Sequence, residues 1–88
     1  MPDFTDNIFT YVLTNETLLI KSEYGVRSIA MKLVSGNASF YGTMKLGSLS
    51  SGSIPLVVND SVTVSDDNNI DGLTIDATAG SVQIIARK

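Results

Sequence analysis

Apolar and polar residues alternate along this chain in short runs. Turn-forming residues interrupt them about every 8 to 12 positions, the pattern of a sandwich or barrel of strands. Residues 8–13 predict a first strand, ended by Thr14-Asn15-Glu16, and residues 17–23 a second, ended by Tyr24-Gly25. Over residues 26–35 the alternation is clear, with Ile29, Met31 and Leu33 on one face and Ser28 and Lys32 on the other. Successive strand side chains point to opposite faces, so this period marks a strand with one buried side. Gly36-Asn37 then predicts a tight hairpin, because glycine at the first central position suits a type II′ turn. Residues 38–41 and 43–46 follow, with Gly42 breaking or bulging the strand. Residues 47–53, rich in serine and glycine, predict a flexible loop.

The second half alternates more cleanly. Residues 54–58 and 61–65 predict a hairpin through Asn59-Asp60, two residues that tolerate the positive φ of a type I′ turn. Val62 and Val64 face one way, against Ser61, Thr63 and Ser65. Leu73, Ile75 and Ala77 predict an inward face. After Thr78-Ala79-Gly80, residues 81–86 predict a last strand with Val82, Ile84 and Ala86 inward and Ile85 outward beside Gln83. An apolar residue on the outer side of a closing strand implies that this side is covered too. No segment sustains helical spacing, so the expected fold is all-β: one β-sandwich or jelly-roll-like barrel over residues 1–88, of about 7–8 short antiparallel strands.

Composition sharpens this picture. Eighty-eight residues make one small core of modest stability. With no cysteine, neither disulfides nor thiolate-bound metals can reinforce it. Oligomerisation is the remaining common reinforcement, and a positive mean hydropathy with 17% charged residues favours buried interfaces. The net charge of −3 is unevenly spread. Lys21, Arg27, Lys32 and Lys45 stand against Glu23 in residues 17–45, whereas residues 46–86 hold Asp60, Asp66, Asp67, Asp71 and Asp76 with no cation. Such segregation can orient association between copies, or simply solvate two edges. An acidic chain makes nucleic acid an unexpected partner. No apolar run is long enough to cross a membrane as a helix, and acids stand where a secretory signal needs cations, so synthesis and folding in the cytoplasm are expected.

Catalytic chemistry is hard to assemble from these residues. There is no histidine to shuttle protons and no cysteine nucleophile. The serines fall in turns and outer strand faces, with neither S-x-x-K nor G-x-S-x-G among them. No enzymatic activity and no cofactor are expected. Asp67-Asn68-Asn69-Ile70-Asp71-Gly72 matches the opening of a calcium loop, with Asp67, Asn69 and Asp71 as the alternating oxygen donors. The twelfth position is Thr78 where such a loop has glutamate, and a side-chain-closed Asx turn explains the same residues. Asn15, Asn37 and Asn59 begin Asn-x-Ser/Thr triplets and are read as turn residues beside strands.

Residues 53–64, SIPLVVNDSVTV, followed by residues 70–86, IDGLTIDATAGSVQIIA, resemble the C-terminal half of small β-rich structural proteins of tailed-bacteriophage virions, including auxiliary or decoration proteins of the head. The likeness covers residues 53–86, and the N-terminal part adds nothing to it. It implies a non-enzymatic subunit that is present in many copies in the virion, is assembled in the host cytoplasm, and docks on a capsid or tail surface and on its own kind. Tyr11, Tyr24, Tyr41, Ile85 and Arg87 are the candidate interface residues, as large or anchoring groups outside the obvious inward faces. A carbohydrate- or ligand-binding β-sandwich is the alternative.

Overall fold

The computed structural model describes residues 7–42 and 54–88. Five strands form one antiparallel sheet: β1 (Ile8–Ile20), β2 (Ser28–Tyr41), β3 (Ile54–Pro55), β4 (Ser61–Ser65) and β5 (Leu73–Arg87). The spatial order is β1-β5-β2, with β3 and β4 both laid along the far side of β2. One 3₁₀ turn, Ser22–Tyr24, links β1 to β2. The expected all-β antiparallel architecture is therefore present, built from fewer and longer strands.

The difference lies at three places read from the sequence as turns. Thr14-Asn15-Glu16 lies inside β1, Gly36-Asn37 inside β2 and Thr78-Ala79-Gly80 inside β5. Each is an irregularity within a strand, not a connection between strands. Register shifts fall between Thr14 and Glu16 on β1, and between Leu33 and Ser35 and again between Asn37 and Ser39 on β2. The buried positions change parity across each one. Phe9 and Leu13 give way to Leu18 and Ile20, Met31 and Leu33 to Phe40, and Ile75 and Ala77 to Val82 and Ile84. An extra residue in a strand turns every later side chain over, so the strand can bend and keep its apolar side inward.

Because the irregularities sit side by side, the whole sheet folds along one line into two leaves. The first leaf holds residues 8–14, 28–33, 61–65 and 81–87, and the second holds residues 16–20, 39–41, 54–55 and 73–77. Their inner faces share one core, from Phe9 and Leu13 through Ile29 and Met31 to Phe40, Ile75 and Ile84. The least extent of the molecule, 19 Å, suits two stacked layers.

Residues 54–65 do not form the expected hairpin. Asp60 N–H donates to Val57 O at 3.0 Å and Asn59 takes φ 71°, so the turn itself exists. Yet β3 and β4 each run antiparallel to β2 and so follow one another along it. The turn carries the chain past the bend in β2, where Asn59 N–H donates to Leu33 O at 3.0 Å. Pairing each short piece with a long neighbour satisfies backbone groups on both sides of the bend. The predicted strand over residues 43–46, the loop over 47–53 and Lys45 lie outside the described residues.

Candidate functional site

The outer face of the first leaf presents an apolar patch. Once Phe9, Leu13, Met31 and Ile84 turn inward, alternation leaves Ile8, Thr10 and Val12 of β1 pointing out, with Ile85 and Gln83 of β5 and Ala30 and Lys32 of β2. The register sets them in rows: Thr10 beside Ile85 beside Ala30, Val12 beside Gln83 beside Lys32, and Ile8 beside Arg87 beside Ser28. Directly opposed strand residues have Cβ atoms about 4.5–5.5 Å apart, so each row is continuous. Ile8, Val12 and Ile85 are 56%, 49% and 48% exposed. The coiled leaf makes this face a groove of about 600 Å³, bordered by Thr10, Val12, Ala30, Lys32, Gln83 and Ile85.

The charge on this face is of one sign. Lys32 and Arg87 lie on it, and its remaining outward residues are Ile8, Thr10, Val12, Thr14, Ser28, Ala30, Ser61, Thr63, Ser65, Ser81, Gln83 and Ile85, none acidic. The acids of the second half lie elsewhere. Asp60, Asp66, Asp67 and Asp71 occupy the connections before and after β4, and Asp76 lies on the outer face of the second leaf. Lys32 from the basic segment and Arg87 from the end of β5 thus make a basic apolar face on an acidic molecule.

The five candidate interface residues are distributed over three places. Ile85 sits at the centre of the patch and Arg87 at its rim. Tyr41 is exposed on the outer face of the second leaf, beside Thr74, which in turn pairs with Leu19. Tyr11 and Tyr24 are partly buried and pack against the core. Tyr11 lies on the inward side of β1, and its hydroxyl donates to the Glu16 carboxylate, 3.2 Å from Oε1 and 3.3 Å from Oε2. Partial burial, followed by the Glu16 charge and hydrogen bond, pushes the Tyr11 phenol above its ordinary value. Tyr24 ends the 3₁₀ turn over the core. Sequence reasoning passed over Ile8 and Val12, although their alternation with Phe9, Tyr11 and Leu13 was the available signal.

The residues of the calcium-like pattern hold a loop to the 3₁₀ turn. Asn69 Nδ2 donates to Ser22 O at 3.2 Å, and Asp71 Oδ1 accepts from Ser22 N–H at 3.3 Å. Between them Ile70 enters the core, and its N–H donates to Val26 O at 2.7 Å. Asp67 is exposed one residue past Asp66, whose Oδ1 accepts from Asn68 N–H at 3.1 Å. These bonds are those of a stapled Asx-rich loop. Among the described residues no three acidic, histidine or cysteine side chains gather as a metal site would need. A smaller recess beside Asn37, Ser39 and Thr78 contains Asp76. Its Oδ1 accepts from Thr78 N–H at 3.0 Å and Thr78 Oγ1 at 2.7 Å, which holds the carboxyl below its ordinary value.

No described helix is long and apolar enough to cross a membrane. No protein-family model matches the chain, and neither does any curated protein sequence. Among solved structures, an RmlC-like cupin protein from Desulfovibrio desulfuricans is similar in fold, with a TM-score of 0.59 and 13% identity over 94% of this chain and 74% of that one. At that identity the likeness concerns the fold alone, an antiparallel β-barrel or sandwich, and a fold of this kind carries no particular activity with it.

Proposed function

We propose that this protein is a non-enzymatic structural subunit of a tailed-bacteriophage virion, and that it docks on a capsid or tail surface through the outer face of its first leaf. One observation carries the docking surface: Ile8, Val12 and Ile85 stand exposed together, flanked by Lys32 and Arg87. Aliphatic side chains grouped in a groove and edged with cations fit a partner surface that is apolar at its centre and acidic at its rim. The virion assignment rests on the likeness of residues 53–86 to phage structural proteins. The lack of histidine and cysteine agrees with a role in binding.

The test is co-sedimentation of the purified protein with heads and with tails of the phage that encodes it. Saturable binding to one of them is expected, and Ile85→Glu should weaken it by roughly a hundredfold, as for a residue at the centre of an interface. Absence of binding to both particles overturns the reading. A groove of about 600 Å³ also falls within the size range of small-ligand sites, which supports the second reading, a carbohydrate- or ligand-binding module. A saturable glycan-dependent change in tyrosine fluorescence, without particle binding, would favour the module.

A further inference from the structure

β1 is an outer strand, and two backbone hydrogen bonds show which of its residues face outward along the sheet. Lys88 N–H donates to Asn7 O at 2.9 Å, so the odd-numbered residues before the bend direct their N–H and C=O groups toward β5. Alternation then directs those of Ile8, Thr10, Val12 and Thr14 away from β5. Arg27 N–H donates to Arg87 O at 2.8 Å, which fixes the same alternation on β5, whose odd residues face β2. Among the described residues no strand lies against this free side of β1.

The two edges of the sheet are built differently. The far edge consists of β3, two residues long and containing Pro55, then a turn, then the five residues of β4. Short pieces, proline and a break are the usual means of keeping an edge from pairing. β1 spans 13 residues without proline, lysine or arginine. Its single acid, Glu16, lies beyond the bend and accepts the Tyr11 hydroxyl. Residues 8–14 therefore form an uncharged, uninterrupted edge.

We propose that residues 8–14 of β1 pair with the same residues of a second copy, antiparallel about a two-fold axis, to form a closed dimer. A second copy fits this edge for three reasons. Its own residues 8–14 carry no charge, so no like charges meet at the axis even though each chain carries −3. Pairing even-numbered residues with even-numbered ones joins the outward-directed N–H and C=O groups. It also keeps Phe9, Tyr11 and Leu13 of both copies on the core side. Ile8 and Val12 of the two copies then become neighbours, and the two exposed patches merge into one. With the far edge blunted, pairing stops at two chains.

Sedimentation and light scattering test this directly, since a monomer has a mass of 9.4 kDa and a dimer about twice that. The expected result is a dimer that Thr10→Pro converts to a monomer with unchanged circular dichroism. Proline at this position deletes an N–H directed at the partner and spares the β5 ladder. Ile85→Glu, on the outer face, should remain dimeric. Hydrogen exchange on the unmodified protein gives a readout that does not depend on the variant folding. The Ile8, Thr10 and Val12 amides should exchange at least about tenfold more slowly at high than at low concentration.

A wild-type monomer at millimolar concentration, an unchanged dimer in folded Thr10→Pro, or concentration-independent exchange at those amides overturns the proposal. So does an edge that captures a foreign extended peptide and never its own copy. A monomer that still binds phage particles would remove the dimer and leave the docking role intact.

Discussion

At the bend of the sheet, single atoms decide what the chain tolerates. Gly36 adopts φ +75°, and a Cβ there would lie 2.4 Å from Ala79 O. A Cβ on Gly80 would lie 2.6 Å from Asn37 O and 2.7 Å from Ser35 O. The obstructing atoms are backbone on both sides, so they cannot swing away as a side-chain tip can. Gly80→Ala should therefore cost about 2 kcal/mol or more, read as a lower urea midpoint at unchanged slope.

The Tyr11–Glu16 contact makes a second prediction at this scale. Folding raises the phenol above its ordinary value of 10.0. Its contribution to stability is therefore complete below that value and is lost as pH rises through the higher folded value. Glu16→Gln removes the charge that opposes ionisation, so an ultraviolet titration of the folded protein should show Tyr11 ionising at lower pH than in wild type.

Within an element, a side chain's place relative to the bend determines its worth. Leu18 is 3% exposed while its neighbour Leu19 is 42% exposed. Leu18→Ala should cost about 2–5 kcal/mol, as buried leucines do, and Leu19→Ala within about 0.5 kcal/mol. Equal losses in thermal or urea unfolding would show that the parity change across Asn15 is misplaced. Most of this was legible in the sequence. The inward sets Ile29/Met31/Leu33, Leu73/Ile75/Ala77 and Val82/Ile84/Ala86 all lie in the core, and Phe9 and Phe40 join them. The connections were misread because Asn15, Gly36 and Gly80 have the same chemistry in a bulge as in a turn. Asn15 does take a positive φ of 54°, but within a strand that continues. The parity change between Leu13 and Leu18 does not separate the two, since an intervening hairpin has no need to preserve any phase and permits it equally.

Over the whole molecule, β5 lies between β1 and β2 in the sheet although it follows both in the chain. Ile8 pairs with Arg87, and the central strand β5 is made after both of its neighbours. Neither β1 nor β2 has its main partner until that segment arrives. Loop closure over most of the chain must precede the contacts that compensate for it, so refolding should take on the order of milliseconds to seconds. Stopped-flow fluorescence checks this, and microsecond refolding would contradict the topology.

The same topology produced the candidate site. Ile85 stands far from Ile8 and Val12 in sequence, and Lys32 and Arg87 come from opposite halves of the chain. Alternation could say that Ile85 faces outward, but only the β1-β5-β2 order says what stands beside it.

The sequence by itself determined the strand class, the inward faces of the clearly alternating runs and the absence of histidine and cysteine chemistry. Those properties depend on local periodicity and on which side chains exist at all. The tertiary structure decided which irregularities are bends, which strands are neighbours and which edge is open. Those depend on pairing between distant segments, for which an alternating pattern supplies many acceptable partners and no preference among them.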